Sequence, residues 1–229
     1  MRETTLFILI LTSQIAMAQT RITKEDVLTF KETLEEVEYF KYVVSKSEIK
    51  TWEKLQIEGL TKYGWLRFPD HSWIVQAETG TYPQDDDKLF DYRTIMVDVD
   101  YMFRGGMEYY LKIAKQIFEV RGLKFEIRDE KMVWGENDQA NDYHYFKHEV
   151  YINDHHIVIA DGNLNQMGGY MYFKKYKEIL ENEFENQQSN ERIRLLNYED
   201  GVVMLIGDEK LLKIYEMAIK PFKNKMLKE

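Results

Sequence analysis

Tyr145-Phe146-Lys147-His148-Glu149-Val150-Tyr151-Ile152-Asn153-Asp154-His155-His156-Ile157-Val158-Ile159-Ala160 is the stretch whose reading decides the fold. Phe146, His148, Val150 and Ile152 alternate with Tyr145, Lys147, Glu149 and Tyr151, the period of two of a strand with one face turned inward. Asn153-Asp154 is a turn pair, and the apolar run after it brings the chain back antiparallel to the first strand. A two-residue connection joins only antiparallel neighbours, so this sheet grows by hairpins rather than by helical crossovers.

The same grammar recurs outward from this hairpin. Asp200-Gly201 joins Ile193–Leu196 to Val202–Ile206, and Asp129-Glu130 is read as a turn between Leu123–Ile127 and Met132–Trp134. Tyr92–Phe103 alternates cleanly and is expected as a half-buried strand ended by Gly105-Gly106. Helical periodicity fills the rest. Thr23 caps a run in which Val27, Phe30, Leu34, Val37, Phe40 and Val44 mark one face of about five turns. Further helices are expected over Glu48–Lys62, from Met107 to a C′ residue at Gly122, from Tyr170 to about Asn186, and from Asp208 to Pro221. Short strands around Pro69-Asp70-His71 and a loop over residues 80–88 complete the reading. The class is α+β: a mostly antiparallel sheet built from hairpins, flanked by amphipathic helices, with an N-terminal helical segment over residues 22–64.

Residues 1–18 stand apart. Arg2, the apolar run Leu6–Leu11 and Ala16-Met17-Ala18 are the three parts of a secretory signal peptide. Cleavage after Ala18 leaves a single α+β domain over residues 19–229, secreted or periplasmic, with no second apolar stretch long enough to span a bilayer. The 229-residue chain contains no Cys, which excludes disulfides, thiol nucleophiles and Cys-ligated metals. Its formal charge of −9 opposes nucleic acid or an anionic membrane as main partner. There is no dinucleotide or phosphate-loop fingerprint, no G-x-S-x-G elbow and no H-E-x-x-H.

Few residues remain for chemistry. His144 and His148 on a strand lie about 13 Å apart, too far to share one ion. A two-residue turn at Asn153-Asp154 places Ile152 opposite His155, Tyr151 opposite His156 and Phe146 opposite Asp161. Asp161 is then diagonal to His144 and His148, which makes His148, Asp161 and His144 the candidate catalytic group, an acid–base pair at the sheet end. Asp98-Val99-Asp100 sets two carboxylates on one strand face about 6.6 Å apart, and Asp85-Asp86-Asp87 lacks the spacing of a calcium loop. Asn163, Asn165 and Gln166 on the Gly-rich loop 161–169, with Tyr145, Tyr151 and Tyr170, form the candidate binding group.

No cofactor and no metal is expected. The residues suit an exported, soluble, acidic protein that binds a secreted protein or a cell-envelope component without catalysis. A cell-envelope hydrolase using the His–Asp pair and a small-ligand carrier lined by Tyr and Trp are the alternatives.

Overall fold

The computed structural model describes residues 23–43, 45–63, 91–138, 143–163, 166–198 and 201–226. The expected signal peptide, the strands around Pro69, the loop 80–88 and Asn165 lie outside these residues.

Helix α1 (Lys24–Glu36) begins where sequence places it. Thr23 accepts from the Asp26 amide while the Asp26 carboxylate accepts from the Thr23 amide, a reciprocal capping box. It is shorter than five turns, because Glu38 adopts φ +54° and the chain tightens into a 3₁₀ turn over Tyr39–Tyr42. After that break Tyr39 and Phe40 are both buried. Helix α2 (Lys46–Tyr63) starts earlier than expected, since Ser45 and Glu48 form a second capping box.

Strand β1 (Thr94–Val97) is only four residues long, and the alternation through Phe103 does not continue as strand. Asp98 accepts the Tyr101 amide at 2.9 Å and starts a helical lead-in over Val99–Tyr101, a π-turn over Met102–Gly106, and then α3 (Met107–Glu119). The ladder ends with Val97 opposite Val202, and a capping Asp turns the chain into helix there. Gly105-Gly106 therefore sits inside a helical run, and Asp98 and Asp100 do not share a strand face. Gly122, φ +69°, closes α3 with the paired bonds from Gly122 to Glu119 and from Leu123 to Phe118.

Three strands follow: β2 (Ile127–Asp138), β3 (Tyr143–Ile152) and β4 (His155–Asn163). Asp129-Glu130 is not a turn. Both flanks pair with β3, and Asp129 at φ +51° takes up the extra residue as a bulge. Then come α4 (Gly169–Asn186), β5 (Arg192–Tyr198), β6 (Gly201–Gly207) and α5 (Glu209–Met226). Asp208 caps α5 through the Leu211 amide, but the helix continues past Pro221 rather than ending there.

The strands make two antiparallel sheets, β1-β6-β5 and β2-β3-β4. One face of β1-β6-β5 carries Leu196, Val203 and Leu205, packed with Val27, Phe30 and Leu34 of α1, Trp52 of α2 and Tyr215 of α5. Its other face, Ile95, Val97, Met204 and Ile206, packs on α3 and α4. Those helices also bury Phe146, Val150 and Ile152 of the second sheet. The layers thus run helices, sheet, helices, sheet, and β2-β3-β4 is terminal.

Two polar knots tie the layers. Ahead of β1, Asp91 is 1% exposed and takes four donors: the Arg93 and Thr94 amides, the Tyr39 hydroxyl and the Thr94 hydroxyl. Burial nonetheless holds its carboxyl above the ordinary Asp value, and pushes the Tyr39 phenol well up. At the α3–β5 junction, Glu191 lies 3.1 Å from Arg121 and 3.9 Å from Arg93. Both guanidinium groups also sit over the Tyr42 ring.

The start of α4 depends on one glycine. A Cβ at Gly169 would lie 2.3 Å from the Val99 carbonyl oxygen, whereas Gly168 has open space around it. Gly169→Ala is expected to lower stability by about 2–3 kcal/mol, and Gly168→Ala to change it by under about 0.5 kcal/mol. Urea titration of the two variants checks the contrast, and equal effects would show that the close approach is not needed.

Candidate functional site

The hairpin register starts as read from sequence: Ile152 lies opposite His155 and Tyr151 opposite His156. It then shifts. Glu149 pairs with Val158 but His148 pairs with Ala160, so Ile159 is the extra residue of a bulge. A one-residue shift moves every later side chain to the other face. Asp161 consequently lies opposite Lys147, not Phe146, and its carboxylate accepts from the Tyr145 hydroxyl at 2.9 Å.

The expected His148–Asp161 pairing is therefore not made. His148 is fully buried on the inner face, its ring against Phe146 and Tyr172. Its Nε2 lies 2.9 Å from Glu130 Oε1, and its Nδ1 finds no hydrogen-bond partner among the described residues. An ionised carboxylate only accepts, so Nε2 carries the proton in this pair. Burial also pushes the neighbouring Tyr172 phenol up. His144 is half-buried, and its amide donates to the Asn163 side chain.

The outer face of β2-β3-β4 gathers the other candidates. Tyr145 lies opposite Asn163, and its ring crosses Gly135 of β2 so closely that a Cβ there would come within 2.6 Å of it. Lys147 Nζ is 2.6 Å from Glu149, and His156 Nε2 is 3.2 Å from the same carboxylate. The Lys147 contact holds the Glu149 carboxyl below the ordinary Glu value and pushes the Lys147 ammonium up. The His156 ring lies 4.9 Å from that of Tyr151. Val133, Tyr151 and Val158 are exposed between these pairs. Antiparallel sheets can leave one face to solvent, and no described element covers this one.

Gln166 is exposed on the connection to α4. Tyr170 is 68% exposed on the first turn of α4, the helix that packs on the inner side, with its ring against Phe173. The binding candidates are thus divided, with Tyr145, Tyr151 and Asn163 on the sheet and Gln166 and Tyr170 at its end.

A His–carboxylate pair does reach the surface, but between residues that sequence reading did not join. At the hairpin tip, His155 Nδ1 is 3.0 Å from Glu183 Oε1, and the Asn153 side-chain amide donates to Glu183 Oε2 at 2.5 Å. Glu183 is buried on α4, while the His155 side chain is half exposed. Asn153, at φ +54°, exchanges hydrogen bonds with the Glu126 backbone and is held in place. An ionised carboxylate only accepts, so Nδ1 is the nitrogen that donates in this pair. A signal was present: Glu183 falls on the apolar stripe of Tyr176, Ile179, Leu180 and Phe184, where a carboxylate needs a partner.

Among the described residues, no three His, Asp or Glu side chains are placed to hold a metal ion. No helix among them is long and apolar enough to cross a membrane. A depression of about 410 Å³ is bordered by Glu35, Glu38, Phe40 and Lys41. Set against family models, curated proteins and solved structures, the chain matches none of them.

Proposed function

We propose that this is an exported, acidic interaction protein that holds a partner protein on the outer face of β2-β3-β4. The observation that carries this reading is the make-up of that face. Tyr145, Tyr151, Val133 and Val158 lie around a charge pair already made within the chain, Lys147 with Glu149, whose carboxylate is also hydrogen-bonded to His156. Stiff aromatic area and a pre-formed ion pair reduce the ordering cost of association. The −9 formal charge speeds encounter with a basic partner. The leader-like residues 1–18 support export.

The test is a photo-reactive phenylalanine analogue at Tyr151 or Val158, with Met217 on α5, 65% exposed, as the off-face control. Cross-linking in the producing cell is expected to join one partner at one-to-one stoichiometry from positions 151 and 158 only. The cross-linked chain should come from the extracytoplasmic fraction with Gln19 as its first residue. Equal labelling from Met217, or an unprocessed cytoplasmic chain, overturns the corresponding half of the reading.

A second reading, a cell-envelope hydrolase, is favoured by the half-exposed imidazole of His155 held on the buried Glu183. An imidazole held by a carboxylate is half of an acid–base device. If it acts so, Glu183→Gln lowers kcat about 10²- to 10⁴-fold with little change in KM. A hydrolase panel on the wild type comes first, and activity that survives His155→Gln removes this reading.

A further inference from the structure

We draw no further inference here: the strongest candidate, the outer edge of β2 with its exposed Met132-Val133-Trp134 run, carries nothing because nothing in the structure shows what covers it.

Discussion

Asp91→Ala is expected to lower the unfolding free energy by about 3–5 kcal/mol, one of the two largest effects in this protein. The substitution removes few atoms but strands four donors, the Arg93 and Thr94 amides and the Tyr39 and Thr94 hydroxyls. A buried donor left without an acceptor costs about 1–3 kcal/mol, and neighbouring losses are not additive. The damage also spreads. Tyr39 stacks on Tyr215 of α5, and the two amides shape the turn in which Tyr92 holds φ +52° ahead of β1. Urea unfolding should show a lower midpoint at unchanged slope. Asp91→Asn keeps one oxygen for the amides and lets the hydroxyls rotate to accept, so about 1–2 kcal/mol is expected there.

The same residue sets a pH dependence. Burial holds the Asp91 carboxyl above its ordinary value, the four donors offsetting this only in part. In the window between the ordinary and the raised value, the native state keeps a proton that the unfolded chain has released. Stability contributed by this group therefore falls as pH rises through that window. Asp91→Asn should remove this slope, and an unchanged slope in the variant would assign it to other groups.

Glu191→Ala is expected to cost a similar amount, about 3–5 kcal/mol, for a different reason: it leaves two buried cations without their carboxylate. The Arg121 and Arg93 side chains are 3% and 6% exposed, and burial already pulls the Arg121 guanidinium below its ordinary value. Arg93 still has the Tyr39, Glu38 and Ile206 carbonyls as acceptors. Among the described residues, Arg121 would keep the Ile117 carbonyl and the Tyr42 ring. Its Nη2 finds no hydrogen-bond acceptor and Glu191 Oε2 finds no donor among the described residues. Such an imperfectly satisfied pair is replaceable. The double variant Arg121→Met, Glu191→Met should recover about 1–3 kcal/mol relative to the sum of the singles in a double-mutant cycle. Strict additivity would show that the two charges do not sense each other.

Much of the scaffold was legible in the chain because its causes are local. The Thr23–Asp26 box, the Asp208 cap, the C′ glycine at position 122 and the Asn153-Asp154 turn each need only residues within about five positions of one another. The errors fall where a distant strand outvotes a local signal. Asp129-Glu130 looks like a turn, yet β3 pairs with both of its flanks. Val99, Tyr101 and Phe103 extend a strand pattern, yet β6 offers no partner beyond Val97.

For the candidate site, alternation alone assigned Tyr145 and Tyr151 to one face of the hairpin and Phe146 and Val150 to the other. That assignment is local, since side chains on a strand point alternately whatever the partner. Alternation could not reveal the bulge at Ile159, because an extra residue between two apolar neighbours leaves the composition unchanged. That single shift took Asp161 away from His148 and gave it to Tyr145. The long-range pairs His148–Glu130 and His155–Glu183 span 18 and 28 residues, and which carboxylate meets which imidazole follows from how layers stack. Sequence by itself determined the α+β class, the β3–β4 and β5–β6 hairpins and the helix ends at Thr23, Gly122 and Asp208, because these are set by period and by neighbours along the chain. Only the tertiary structure decided the four-layer order, the terminal sheet with its open face and the partners of each histidine, because register and packing are settled between segments that meet only in the fold.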